Sequence, residues 1–203
     1  RTGFFERAEL EGVRKQLPDY LQPLATFAYW TGWRRGELLT LEWRHVDLDA
    51  GTVRLDPGTT KNKQGRLVYL PLEALESLQA WRQKTSQVER ERSCIVGRVF
   101  HHDGRPIRDY YAAWRSACDR AGIAGRTLHD FRRTAARNYV RSGVPERVAM
   151  QILGHKTRSI FDRYNVTSEG DLRAAAEKVG APVRDGLGKV VALPTGKASG
   201  EAS

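Results

Sequence analysis

Cysteine is scarce in this chain: only Cys94 and Cys118 occur among 203 residues, with no neighbouring cysteine or histidine at metal-ligand spacing. Neither a disulfide framework nor a zinc site is expected, and both thiols read as reduced and structural. Long apolar runs are missing too. No stretch approaches the roughly 20 residues of a membrane span and no signal-peptide pattern opens the chain, so the expected location is the cytoplasm, or a nucleus. There is no cluster of Asp and Glu to hold a metal ion and no phosphate-binding glycine loop, so no metal and no cofactor is expected. Acidic residues are in deficit: 24 Asp and Glu against 34 Lys and Arg give a net charge of +10. That surplus favours a polyanionic partner, DNA or RNA, although many basic proteins bind no nucleic acid.

What is present suits one folded domain. Hydrophobic residues make up 40% and charged residues 29%, an ordinary balance for a globular chain of a size that packs one core. Residues 1–180 carry it. From 181 to 203 Gly, Pro, Ser and Lys accumulate, and that end is expected to be a flexible tail apart from the short apolar run at 190–193. The chain opens on Arg1 rather than Met and enters helical pattern almost at once, which reads as a fragment of a longer protein.

Apolar periodicity lays out the elements. Leu10, Val13 and Leu17 share a helical face that stops at Pro18, and Leu21, Leu24, Phe27 and Ala28 begin a second helix ending at Gly32. A short helix over 37–41 precedes strands at 53–55 and 66–70. Between these strands the Lys- and Gly-containing stretch 59–65 makes a hairpin with a basic tip. Helices are expected over 72–85 and 108–121, separated by a short strand and turn at 99–104. Thr127 with Asp130 three residues on resembles a capping box, opening a helix that runs to about Ser142 and is stopped by Gly143. Pro145 opens another that ends near Gly154. The expected class is α+β, mainly helical with a small antiparallel sheet or hairpin.

Within the helix that opens at Thr127, His129 and Arg132 stand three residues apart on one face. A planar guanidinium beside an imidazole suits a phosphate, because the first offers permanent, forked donors and the second can donate or move a proton near neutral pH. Alone, such a pair fits a solvated surface equally well. Its context is richer: Thr31-Gly32-Trp33-Arg34-Arg35-Gly36-Glu37-Leu38-Leu39 sets charge directly after an apolar helix. Leu153-Gly154-His155 closes a helix tightly, and Tyr164 follows nine residues after His155.

In that order and spacing the segments resemble the tyrosine recombinase (phage integrase) family, whose catalytic domain carries Arg, Lys, HxxR, LGH and Tyr along the chain. The resemblance covers residues 31–164. It assigns Arg34 to the first arginine motif and Glu37 to the acidic residue that supports it. Lys61 matches the hairpin lysine, with Lys63 two residues away as the alternative; His129 and Arg132 match HxxR, His155 matches LGH, and Tyr164 takes the place of the nucleophile. Trp33 and Phe131 stand where the family more often has Leu.

The resemblance implies a tyrosine recombinase catalytic domain that cuts and rejoins double-stranded DNA at specific sites through a 3′-phosphotyrosine, without metal or ATP. It also implies a homotetramer on paired sites that is mainly monomeric without DNA, with accessory DNA-bending proteins among the partners and the nucleoid as the place of action. The N-terminal domain that closes a clamp around DNA has no match in this sequence. Two other readings share the fold: a type IB topoisomerase and a catalytically silent DNA-binding regulator. Arg35, Arg44, Lys63, Arg66, Arg105, Arg108, Arg133, Arg137, Arg158 and Arg163 are further cations that could meet phosphates. Beyond Tyr164, Ser168 and Asp171 can cap a helix whose Leu172, Ala175, Ala176 and Val179 form one apolar stripe, expected to dock on a neighbouring protomer, with folding back on its own domain as the alternative.

Overall fold

The computed structural model describes residues 3–56, 65–162 and 169–186. Its contacts divide the chain into two units, residues 1–166 and 167–203. The first is mainly helical, with helices α1 (Arg7–Gln16), α2 (Gln22–Thr31), α3 (Arg35–Thr40), α4 (Leu72–Arg92), α5 (Tyr111–Arg120), α6 (Asp130–Arg141), α7 (Glu146–Leu153) and α8 (Arg158–Asp162). Strands β1 (Val46–Asp47), β2 (Thr52–Leu55) and β3 (Arg66–Tyr69) form an antiparallel sheet in that order, and β4 (His101–His102) pairs with β5 (Arg105–Pro106). In the second unit a single helix, α9 (Glu169–Gly186), is described, and it runs past residue 180. Among the described residues, no helix is long and apolar enough to cross a membrane.

Helix α2 is the centre of the first unit. Residues 23–29 and Thr31 are all buried, because the run Pro-Leu-Ala-Thr-Phe-Ala-Tyr offers no charged face to water. Around it α1, α4 and α6 supply the other walls. The main core joins Phe5, Leu24, Phe27, Leu38, Val53, Val68, Leu78, Phe100, Trp114 and Phe131. A smaller cluster of Ala135, Ala136, Ala149, Leu153 and Phe161 fastens α6, α7 and α8 to one another. In the sheet, Val53 faces Val68 and Leu55 faces Arg66. Period-two alternation therefore turns Arg66 and Val68 inward while Leu67 and Tyr69 face outward.

Several bounds differ from the sequence reading for physical reasons. Helix α4 continues to Arg92: its last two turns carry little apolar pattern, but an Arg82–Glu89 ion pair (3.2 Å) and a Gln87–Glu91 hydrogen bond (2.7 Å) hold them. Helix α6 starts at Asp130 rather than Thr127, because both the Thr127 amide (2.8 Å) and its hydroxyl (2.9 Å) donate to the Asp130 carboxylate. The carboxylate closes a turn ahead of the helix, and His129 becomes the cap. Strand β1 and helix α8 are too short to leave a periodic signal. Of the cysteines, Cys118 is buried but Cys94 is exposed, so Cys94 is not the packing residue expected.

Gly32 is where α2, α6 and α7 meet. Its φ of 61° is the left-handed conformation that ends α2. A Cβ there would lie 2.5 Å from the Leu153 side chain and 2.8 Å from the Ala135 side chain. Gly32→Ala is therefore expected to combine left-handed strain with overpacking and to cost at least about 2 kcal/mol, measured as a lower urea midpoint at unchanged m-value. A midpoint equal to that of the wild type would show that the three helices do not need this close approach.

Candidate active site

The chain leaves α2 through Gly32, crosses buried Trp33 and enters α3, which leaves Arg34 as the cap of that short helix. Glu37, one turn on, reaches back to it twice. One carboxylate oxygen accepts the Arg34 backbone N–H (3.0 Å), and the other accepts from the Arg34 guanidinium (3.2 Å). The second terminal nitrogen of Arg34 donates to the carbonyl of Gly154 (3.2 Å), so the guanidinium is fixed at both ends. The side chain keeps 27% exposure, enough to meet a bound group. Glu37 is only 6% exposed and has a second cation, Arg66, at 2.6 Å.

The two other segments arrive from α6 and α7. Arg132, 2% exposed, lies in the first turn of α6 and donates to the carbonyl of Gly32 (2.7 Å). His129 caps that helix three residues earlier and is exposed. Gly154, with φ 67°, ends α7 and turns the chain so that the His155 amide donates to the Met150 carbonyl (2.9 Å). The His155 ring is buried edge-on against Phe161, with centroids 5.7 Å apart.

Electrostatics follow from this packing. Burial, then the guanidinium groups of Arg132, Arg34 and Arg66, push the His155 imidazole down to about 3. It is neutral at any ordinary pH. Desolvation and the neighbouring Arg132 also lower His129 from its usual value, which leaves it an unprotonated base near pH 7. Two anchored guanidinium groups and a neutral imidazole thus share one region, an arrangement suited to an oxyanion that gains charge in a transition state.

Arg34 and Glu37 of α3, Arg132 of α6 and His155 at the end of α7 are brought together by three separate elements, and His129 stands at the exposed edge. Lys61, its alternative Lys63, Tyr164 and Arg163 lie outside the described residues. Arg66, counted in the sequence among cations that could meet phosphates, is instead buried against Glu37, its guanidinium 4.6 Å above the Trp33 ring. The inward position of Val68 on the same strand was the available signal. Arg137 is likewise turned inward, pairing with Glu6 at 2.7 Å and lying 4.5 Å from the Phe4 ring. Arg35 remains exposed and lies over the rings of Tyr110 (5.7 Å) and Tyr111 (5.2 Å). Trp33, a departure from the family pattern, donates through its indole to the Ile152 carbonyl (3.2 Å) and so ties the first motif to α7.

A model of the phage integrase family matches residues 8–170. The integrase of Salmonella phage P22 is 24% identical over 190 residues, covering 88% of this chain and 47% of that protein. A shufflon-specific DNA recombinase of Escherichia coli is 31% identical over 137 residues, covering 66% of this chain and 31% of that one. This chain spans about half the length of the first of these relatives or less. The crystal structure of XerA recombinase shares the fold at a TM-score of 0.72 and 22% identity, over 87% of this chain and 65% of that one. The Tn1549 transposon integrase in complex with transposon right end DNA does so at 0.70 and 14% identity, over 89% of this chain and 67% of that one.

The low His155 value has a consequence for stability. An unfolded histidine takes up a proton near pH 6.5, whereas folded His155 stays neutral down to about 3. The unfolded state therefore binds the extra proton, so this contribution is complete above pH 6.5 and is lost progressively as pH falls toward 3. The slope approaches roughly 1.4 kcal/mol per pH unit from this one group. His101, buried and also lowered mainly by desolvation, adds to it. His155→Gln should flatten, without abolishing, the fall of melting temperature between pH 6.5 and 4, and an unchanged slope would contradict the account.

Proposed function

The chain belongs to the phage integrase family, and on that premise we propose that it cuts and rejoins double-stranded DNA at specific sites through a covalent bond to Tyr164. The observation that supports this best is the convergence of Arg34, Arg132 and His155 from three separate segments. Each guanidinium is held by a backbone carbonyl. A phosphodiester repels nucleophiles by its own charge, and its transition state gathers more on the nonbridging oxygens. Arg34 and Arg132 answer that charge from fixed positions, and neutral His155 adds a hydrogen bond without adding a competing charge.

Tyr164 is the attacking group. Forming its phenolate at pH 7 from a pKa of about 10 costs roughly 4 kcal/mol, which in this reading the cations of the site and His129 as proton acceptor offset. The lowered His129 suits that role because it arrives unprotonated. As the Tyr164 oxygen bonds to phosphorus, the deoxyribose 5′ oxygen leaves and takes a proton from Lys61 as general acid. The product is a 3′-phosphotyrosine with a free 5′ hydroxyl. A partner strand's 5′ hydroxyl then attacks the same phosphorus and returns the tyrosine, so the bond energy is conserved without ATP.

The assembly we propose is a homotetramer on paired DNA sites, mainly monomeric without DNA, with accessory DNA-bending proteins and a cytoplasmic, nucleoid-associated setting. Helix α9, with Leu172 and Val179 exposed on it, supports a docking role for that segment between protomers. Residues 1–180 are the catalytic domain in this reading.

Trapping on a nicked suicide substrate tests the chemistry. Tyr164→Phe should bind DNA as the wild type does yet form no covalent adduct; an adduct with the Phe variant would make another tyrosine the nucleophile. Lys61→Ala should cleave ordinary DNA slowly and recover on a substrate whose bridging 5′ oxygen is sulfur, because a thiolate leaves without protonation. Recovery with Lys63→Ala instead would move the acid by two residues.

A further inference from the structure

We propose that Arg66 is a positioning residue for the cleavage reaction, setting the direction and effective charge of Arg34 through the shared carboxylate of Glu37; this rests on the catalytic reading above. Arg66 opens β3, directly after the hairpin segment that contains Lys61. Its side chain is 6% exposed and is taken up by Glu37 and the Trp33 ring. The guanidinium lies 4.6 Å over the Trp33 ring and packs so closely on Gly154 that a Cβ there would overlap it. One terminal nitrogen is 2.6 Å from the Glu37 carboxylate.

Charge explains why this matters. Glu37 alone would neutralise Arg34 and draw its guanidinium inward. With Arg66 present, one buried carboxylate faces two guanidinium groups, and the cluster keeps a net positive charge that Arg34, the more exposed of the two, presents outward. Planarity matters as well, since a flat guanidinium fits between an indole and a glycine Cα where a tetrahedral ammonium does not. Arg66 also touches the residue before His155, so a single side chain connects the hairpin strand, the first arginine and the LGH corner.

The test compares single-turnover cleavage by the full chain on three substrates: ordinary DNA, DNA with sulfur at the bridging 5′ position, and DNA whose scissile phosphate bears a methyl in place of one nonbridging oxygen. The last is uncharged and needs Arg34 least. Arg66→Met should be slower than wild type by about 100-fold on the first two, the scale of a small misplacement of a catalytic group, and by less than about 10-fold on the third. Arg66→Lys, which keeps the charge but not the planar stack, should show the same pattern at smaller size, and it carries the comparison if the Met variant does not fold. An equal deficit on all three substrates would mean a merely structural role, and rescue by sulfur would mean action through Lys61. Either result overturns the proposal, as does a wild-type rate for both variants. A wild-type chain that forms no adduct on ordinary DNA would instead strike the catalytic reading itself, and this inference with it.

Discussion

A carboxylate taken out of water has to be answered by cations, and Glu37 is answered by two: Arg34 from its own helix and Arg66 from the neighbouring sheet. Removing one partner of a buried ion pair typically costs several kcal/mol, because the remaining charge is left uncompensated. The arrangement is therefore nearly rigid once formed. It decides where α3 begins, since Glu37 also accepts the Arg34 backbone N–H, and it decides how β3 sits, since Arg66 must reach inward. Trp33 and Gly154 complete the slot in which the Arg66 guanidinium lies.

Much of this was legible in the sequence, and the part that was not has a physical explanation. Helices announced by apolar period and closed by glycine, such as α2 at Gly32 and α7 at Gly154, stand where the pattern puts them. Family membership was legible from order and spacing, because chemistry that needs Arg, HxxR and LGH in fixed geometry leaves a sequence trace even at the 24% identity seen with the P22 integrase. Arg34, Glu37, Arg132 and His155 were named from that trace. What it could not supply was the sign of burial for the remaining cations. Arg66 and Arg137 look in sequence like Arg35, yet the first two are turned inward and pair with carboxylates that lie 29 and 131 positions away along the chain. Such partners are invisible to local pattern. Only the alternation of β3 hinted at Arg66.

The helix that carries HxxR shows a second limit. Thr127 and Asp130 do interact, as their spacing suggested, but the hydroxyl donates to the carboxylate instead of capping the helix amides. Sequence spacing identifies which groups meet; it does not fix which of them donates. The difference moves the helix start to Asp130 and leaves His129 at an exposed cap, where it can reach a bound group while Arg132, one turn later, is enclosed.

The remaining question is how a net-positive cluster stays folded in the absence of an anion. Arg34, Arg66 and Arg132 share one region with the buried carboxylate of Glu37. Backbone carbonyls supply the balance. Arg132 donates to Gly32, the residue that ends α2, and Arg34 donates to Gly154, the residue that ends α7. Each acceptor lies at the negative end of a helix dipole, where a cation gains about 0.3–1 kcal/mol at exposed sites and more when partly buried. The pairing is crossed, since the arginine of α6 caps α2 while the arginine that opens α3 caps α7. Both helix ends are thereby satisfied by arginine side chains of the candidate site, and both are left-handed glycines, where a Cβ would meet the Leu153 and Ala135 side chains at Gly32 and the Arg66 guanidinium at Gly154. Neutral His155 fits the same logic: burial first, and then the guanidinium groups of Arg132, Arg34 and Arg66, disfavour one more charge here, so the imidazole gives up its proton instead.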